Sequence, residues 1–270
     1  MTGRITKQLK KETSMNMVSY GGGTNSTAML IECFKRGVKV DLIQFADTGG
    51  ERPNTYNYIS IFNHWLVDHG MPEITIVKKV RANGELLTLE QDCIEKKMLP
   101  SIAYGFKSCS QKYKIQPQDK FMNNWPPAQE EWAAGKKITK LIGYDAGESH
   151  RTKKDYSDTK YDFDYPLVRW GMGRQECVQA ILDAGLCLPG KSSCFFCPNS
   201  RKTEIRHLAE VYPELAERAI AMERNANLTH ISGLGRSFAW GDLLATSDMF
   251  ADEFHFTPEM SCDCYDGDSV

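Results

Sequence analysis

The 270-residue chain has no apolar run approaching the length that spans a bilayer, so no membrane-crossing helix is expected. Its first residues include Lys7, Lys10 and Lys11 but no apolar h-region, so no secretion signal is expected either. Internal repeats and low-complexity tracts are absent. So are two common phosphate-binding spacings. No Lys follows the glycine-rich turn near the N-terminus, as G-x-x-x-x-G-K-[ST] would require, and G-x-G-x-x-G is not met. Basic residues also run out: after Arg236 the charged residues are all acidic, from Asp242 and Asp248 to Asp266 and Asp268.

An apolar content of 41% is enough for a real core, and the length fits one large domain or one domain with a smaller appendage. The net charge of -2 gives no global push toward nucleic acid or membrane. The middle of the chain is locally basic, through Lys107, Lys112, Lys114, Lys120, Lys136, Lys137, Lys140, Arg151, Lys153 and Lys154. A solvated face is the usual meaning of such a run, and a polyanion site is the sharper one. Nine cysteines without a secretion signal argue against a disulfide framework. They favour metal, iron–sulfur or reactive-thiol roles in a reducing cytoplasm.

The rest of the chain is organised around Val18 to Leu30. Met15 to Tyr20 is a short apolar run that reads as a buried strand. Gly21, Gly22 and Gly23 follow, then Thr24, Asn25, Ser26 and Thr27, then a helical pattern through Phe34. A strand, a glycine turn and a helix start form an anion cradle: successive N–H groups point inward, and the helix N-terminus adds partial positive charge. Ser26 and Thr27 can donate hydroxyls to phosphate oxygens. The plainer reading is a glycine turn without a ligand.

Further strands are expected at Val40 to Phe45, Ile74 to Val77 and Ile138 to Tyr144. Helices are expected from Pro53 to a stop at Gly70, over Leu86 to Lys97, Arg174 to Ala184, Thr203 to Leu208 and Pro213 to Arg224. The first of these carries Tyr56, Ile59, Phe62, Trp65 and Leu66 as a core-facing stripe. Alternating strands and helices predict an α/β fold, a doubly wound parallel sheet with right-handed crossovers. Ligands in such sheets sit outside the C-terminal strand edges. The glycine loop, the stretch from Asp47 and the stretch from Asp145 all lie at those edges. A boundary near residue 165 divides a nucleotide-binding α/β part, 1–165, from a helical, cysteine-rich part, 166–270.

Gly21 to Ser26 resembles the S-G-G-x-D-S loop of the PP-loop ATP pyrophosphatases, with Gly21 in place of Ser and Asn25 in place of Asp. Asp47-Thr48-Gly49-Gly50-Glu51-Arg52-Pro53-Asn54-Thr55 resembles the D-T-G-x-E-x-P-E-T stretch of the phosphoadenosine phosphosulfate reductase branch of that superfamily. Gly143 to Arg151 resembles its G-x-x-x-x-E-x-x-R segment, and Cys109 to Pro117 its C-x-x-x-x-K-x-x-P stretch. The resemblance implies an adenine nucleotide α-hydrolase-like fold that binds ATP with Mg2+. Gly21 to Thr27, Thr48, Gly49 and Glu51 would hold the nucleotide. Asp47 would hold metal or ribose, and Arg151 would grip phosphate or sulfate bidentately. Cys109, beside Lys112 and Lys114, would be a reactive thiol. For Asp47 a helix cap is the plainer role, for Arg151 a salt bridge with Glu148, and for Cys109 an inert buried thiol.

Cys194-Phe195-Phe196-Cys197 is the strongest metal signal. With Cys177 and Cys187 it makes a C-x9-C-x6-C-x2-C set, and four thiolates suit tetrahedral Zn2+ or a [4Fe–4S] cluster. Cys177 falls within a predicted helix, where a core role competes. Cys262 and Cys264 offer competing ligands or a redox pair. The surrounding sequence is similar to iron–sulfur members of the reductase-like branch, including DNA phosphorothioation sulfurtransferases. That similarity implies ATP-dependent adenylation of an acceptor with pyrophosphate release and sulfur transfer. DNA, RNA or a nucleotide would be the acceptor and a sulfur donor protein the partner. A thiol-dependent sulfonucleotide reductase is the alternative, although the E-C-G-x-H motif of those enzymes is absent. A non-catalytic binding module with a structural metal site is the third reading, supported by the loss of carboxylates at Asn25 and Asn54.

Overall fold

The computed structural model describes residues 14–100, 102–103, 106–153 and 158–246. Its centre is a five-stranded, wholly parallel sheet in the order β3-β2-β1-β6-β7. The strands are β1 (Asn16–Tyr20), β2 (Leu42–Asp47), β3 (Ile74–Lys78), β6 (Ile138–Leu141) and β7 (Tyr161–Asp164). Strands β4 (Ile102–Ala103) and β5 (Phe106–Lys107) form a separate antiparallel pair. Helices α1 (Thr24–Lys35), α2 (Pro53–Asp68) and α3 (Leu89–Glu95) follow the first three strands. Then come α4 (Ser108–Ser110), a π-helical turn at Gln111–Ile115, α5 (Gln116–Asn124) and α6 (Pro126–Ala133). A 3-10 stretch at Ala146–Lys153 leads on to α7 (Pro166–Arg169) and α8 (Arg174–Asp183). The remaining helices are α9 (Lys202–Val211), α10 (Pro213–Asn225) and α11 (Trp240–Ala245). Among the described residues no helix is long and apolar enough to cross a membrane.

Strand alternation decides which helices cover which face. Val18, Tyr20, Ile43 and Phe45 point into one core, filled by Met29 and Leu30 of α1, Phe62 and Leu66 of α2, and Cys177 and Ile181 of α8. Met17, Leu42 and Ile138 point the other way, onto Met122 of α5 and Ala128 of α6. With both faces covered, the central strands can be apolar throughout. A third core joins Leu89 of α3, Phe195, Phe196 and the helices α9 to α11. There the Glu223 carboxylate accepts three backbone N–H groups, from Leu234 (2.6 Å), Trp240 (3.0 Å) and Gly241 (3.2 Å), which fixes the final loop.

Most elements lie where expected, with shifted ends. The second strand begins at Leu42, not Val40, the fourth ends at Leu141, and the helix expected from Leu86 begins at Leu89. That start is set by Thr88, whose hydroxyl accepts from Gln91 N in a capping box. On α2 the buried stripe is Thr55, Tyr58, Ile59, Phe62 and Leu66, while Tyr56 is exposed. Tyr56 instead turns its hydroxyl back to Asp47 (2.7 Å). The strand β7 was not expected.

Candidate functional site

The chain runs outward from β1 to β2 and β3, then returns to the other side of β1 with β6 and β7. The sheet therefore reverses its winding between β1 and β6, where open α/β sheets take their ligands. A cleft opens at that point. Its floor is Ser19 and Tyr20 from the end of β1, and Ile142 and Gly143 beyond β6. Gly21, Gly23, Thr24, Asn25 and Ser26 form one wall, and Tyr144, Glu148 and Arg151 another.

Gly22 takes φ +72°, and its Cα packs toward Thr55 and Phe45. That turn puts Gly23 at the N-cap of α1 with no side chain capping the helix. The first turn of α1 thus faces the cleft with its N–H groups uncapped, an arrangement suited to an anion. Ser26 Oγ lies between Gly21 N (3.3 Å) and Gly23 O (3.1 Å). Thr27 is fully buried, its hydroxyl held by Gly23 O (2.9 Å) and Tyr20 Oη (3.1 Å). Its expected place as a donor to the ligand is taken by these bonds. Gly143 presses on the loop from below: a Cβ there would lie 2.9 Å from Ser26 Cα and 3.0 Å from Ser26 N.

Asn25, the departure from the family pattern, has a local reason. Its Nδ2 donates to Asp145 Oδ2 (3.0 Å) and Glu148 Oε2 (3.0 Å), and its Oδ1 accepts from Arg174 Nη1 (3.0 Å). A carboxylate at this position would make a third negative charge beside two others. Arg151 lies over the Tyr144 ring (4.1 Å to the centroid) with Nη1 2.5 Å from Glu148 Oε1, while still lining the cleft.

Asp47 lines neither this cleft nor the cavity described next. Its carboxylate accepts from Gly49 N (2.7 Å) and Tyr56 Oη (2.7 Å) and pairs with Lys78 (3.1 Å). It shapes the turn after β2 and caps no helix, since α2 begins after Arg52 with no side-chain cap. Gly49 has φ +74°, and a Cβ there would fall 2.3 Å from Thr88 Cγ2, so no other residue fits without displacing α3.

Beside the cleft lies a second, tight cavity lined by Thr48, Cys109, Lys114, Cys194, Phe196, Cys197 and Pro198. Three thiols from two distant stretches line it. The bearing segment is anchored by the bridge of Cys194 to Glu51, by Phe195 N donating to Gly50 O (2.8 Å), and by Phe196 packed on the bare Cα of Gly50. Thr48 Oγ1 lies 3.1 Å from Cys194 Sγ. Burial, then the charge of Glu51, pushes the Cys194 thiol well above the usual range, with Lys114 acting against them. Burial likewise raises Cys197. Unligated, these thiols are held protonated; a metal would displace their protons.

The other two expected ligands lie elsewhere. Cys177 is fully buried in the core between α8 and α1, and burial, then the charge of Asp145, pushes it up to about 12. Cys187 is exposed. Cys262 and Cys264 lie outside the described residues. Among the described residues no three His, Cys, Asp or Glu side chains form a ready-made metal set. The donor chemistry still fits a sulfur-rich anionic group: three thiols line one cavity, and Ser193 Oγ and Ser200 Oγ, which flank the C-x-x-C in sequence, are buried without a hydrogen bond among the described residues.

Lys114 lines both the cleft and the thiol cavity. Its Nζ lies 3.6 Å from the buried Glu51 Oε1. Burial works against its charge, but Glu51 and then the three thiols outweigh it, so its pKa stands above the ordinary lysine range. Ser192, two residues before Cys194, lines the cleft. The cysteine segment therefore touches both sites.

No protein-family model matches the sequence, and no curated protein matches it. Among solved structures the fold is similar to that of the U34-tRNA thiolase NcsA from Methanococcus maripaludis, determined with its [4Fe-4S] cluster. The identity is 14%, the TM-score is 0.43, and the match covers 87% of this chain and 83% of that one.

Lys114, Ser192, Gln118 and Arg174 are site residues that sequence reasoning missed as such. Lys114 carried a signal, the C-x-x-x-x-K spacing, and Ser192 lay beside the C-x-x-C. Gln118, bonded to Ser19 Oγ (2.8 Å), and Arg174 carried none.

Proposed function

We propose that this chain is a PP-loop enzyme of the phosphoadenosine phosphosulfate reductase-like branch. It binds ATP with Mg2+, adenylates an acceptor with release of pyrophosphate, and supports sulfur transfer to a nucleic acid or nucleotide. The observation that carries the reading is the pairing of two cavities across one lysine. A cleft with an uncapped helix N-terminus and Arg151 adjoins a cavity with three thiols, and Lys114 stands in both.

In this reading Gly21 to Ser26 hold the phosphate tail through backbone N–H groups, and Arg151 stabilises charge on it. Glu148, the carboxylate lining the cleft, meets the Mg2+ that ATP brings. An acceptor oxygen attacks the α-phosphorus, the α–β bridging bond breaks, and pyrophosphate leaves. A sulfur nucleophile then displaces AMP. Cys109, Cys194 and Cys197 hold a [4Fe–4S] cluster, which when bound supplies an iron–sulfur surface for sulfur chemistry. Phe196 and Pro198 shield that cavity, and Lys114 places positive charge between sulfur and phosphate. The basic tract through Lys107, Lys112 and Lys120 favours a polyanionic acceptor. A reducing cytoplasm suits the free thiols.

The test has two parts on the same anaerobic preparation. Metal analysis and absorbance near about 400 nm report the cluster. Release of AMP and pyrophosphate from ATP, measured with RNA, DNA or nucleotide acceptors, reports the chemistry. A colourless, iron-free protein that binds ATP but yields no AMP with any acceptor would refute the proposal.

A further inference from the structure

Arg52 is the one long cation of the Asp47–Thr55 stretch, and it is buried, with 4% of its surface exposed. Its Nε and Nη2 make no hydrogen bond among the described residues. A guanidinium stays charged in a protein, and a buried charge is normally paired. Burial, the largest influence, draws the Arg52 pKa down, and the groups acting against it are, in order, Glu204, Cys197, Glu51 and Tyr212.

Both of those carboxylates have other cations, although Glu204 Oε1 makes no hydrogen bond among the described residues. Glu51 pairs with Lys114 at 3.6 Å, and Glu204 pairs with Lys191 at 2.5 Å while also accepting from Arg201 N (2.8 Å). Among the described residues, the charged side chains acting on Arg52, Lys114 and Cys197 are three cations, Arg52, Lys114 and Lys191, against two carboxylates, Glu51 and Glu204. Within that set one positive charge is in excess, and Arg52, with two unbonded nitrogens, is the cation without an ion pair among the described residues. Three thiolates on a doubly positive [4Fe–4S] core leave about one negative charge, and one-electron reduction adds another. The excess on the protein matches the deficit that the cluster would bring.

Resting on the cluster reading above, we infer that Arg52 is the counter-charge of the group bound by Cys109, Cys194 and Cys197, holding its reduction potential up from outside the ligand set. Arg52 is a positioning and tuning residue, not a ligand. A fixed cation close to a cluster stabilises the reduced, more negative state more than the oxidised one.

The experiment uses full-length protein reconstituted anaerobically with iron and sulfide, and a redox titration followed by EPR. The variants are Arg52→Gln, which removes the charge, and Arg52→Lys, which keeps it. Arg52→Gln should lower the reduced-to-oxidised ratio at a fixed solution potential at least tenfold, which is 59 mV for a one-electron couple. Arg52→Lys should recover most of that shift. Loss of cluster from Arg52→Gln alone, with Arg52→Lys loaded, would support the same charge role. If Arg52→Gln holds a full cluster at the parent potential, the proposal falls and Arg52 is bridged to Glu204 by solvent; the cluster reading survives. If the parent takes up no iron, both fall. If neither variant folds, pulsed EPR of the reduced parent labelled with 15N-arginine decides. A coupled arginine nitrogen supports the role, and its absence overturns it.

Discussion

Gly143→Ala tests whether the backbone just beyond β6 props the anion loop. In the parent, ordinary van der Waals contact begins at 3.4 Å, whereas a Cβ on Gly143 would sit 2.9 Å from Ser26 Cα, 3.0 Å from Ser26 N and 3.2 Å from Asn25 C. All three are backbone atoms, so no side chain can swing away. The loop or the strand must retreat by about half an ångström. The strand is pinned between β1 and β7, and the loop by the Thr27 N to Gly23 O bond (3.1 Å) and the amide network of Asn25. Overpacking of this kind costs about 1–3 kcal/mol. For a chain of this size the melting temperature should fall by roughly 2–10 °C. The retreat also moves the N–H groups that face the cleft, so ATP affinity should weaken by about tenfold or more, or about 1.4 kcal/mol. Calorimetric titration with ATP and a thermal melt on the same preparation give both numbers. Gly241→Ala is the control, because a Cβ there meets Ile220 at an ordinary 3.6 Å and Gly241 does not line the cleft. If Gly143→Ala melts within about 1 °C of the parent and binds ATP as tightly, the idea that this glycine supports the cradle is refuted.

Asn25→Asp would set a third carboxylate against Asp145 and Glu148, trading two donated bonds for repulsion that Arg174 offsets in part. A loss of about 1–3 kcal/mol in denaturant melts is expected, shrinking as the pH falls into the carboxylate range and the new group protonates. A variant as stable as the parent at neutral pH would show the amide network to be incidental. Cys109→Ala should abolish iron uptake, and Cys177→Ala should keep it; the reverse pattern would restore the ligand set expected from spacing alone. Alkylation of the metal-free protein at pH 8 should mark the exposed Cys187 before Cys33, Cys93 and Cys177, all pushed up to about 12 chiefly by burial. Lys114→Met leaves Glu51 buried without its cation and should destabilise by about 3–5 kcal/mol, most of it recovered when Glu51→Gln is added. Chemical melts of the single and double variants would show it, and strictly additive losses would disprove the pairing.

The first half of the sheet was legible because its signals are local. β1 is an apolar run ended by glycine, α2 starts on Pro53 and stops where Gly70 takes φ +67°, and α8 to α10 lie within a few residues of their expected ends. β7 escaped because Tyr161-Asp162-Phe163-Asp164 is too short for its alternation to register. The helices between Ser108 and Ala133 escaped because Lys, Gln and Asn dominate them and prolines punctuate them. The cleft itself was readable, since three motifs had to meet at the strand ends; two of them, the glycine loop and Gly143–Arg151, line it. The thiol cavity was half readable. The C-x-x-C was evident, but spacing along the chain favoured Cys177 and Cys187, and only the π-helical turn after Cys109 brings Lys114 and that thiol to the C-x-x-C across 85 residues. For Asp47 no spacing reveals that Gly49 N and Tyr56 Oη donate to its carboxylate.

Ser192 and Cys194 are separated by a single residue, yet each belongs to a different cavity, and an extended stretch that short reaches only about 7 Å. Neither end can be fixed without fixing the other. If cluster and ATP bind as proposed, removing the cluster should weaken ATP binding, and ATP should tighten iron binding by the same factor. Nucleotide affinities taken on protein that has lost its iron would then describe a slackened tether.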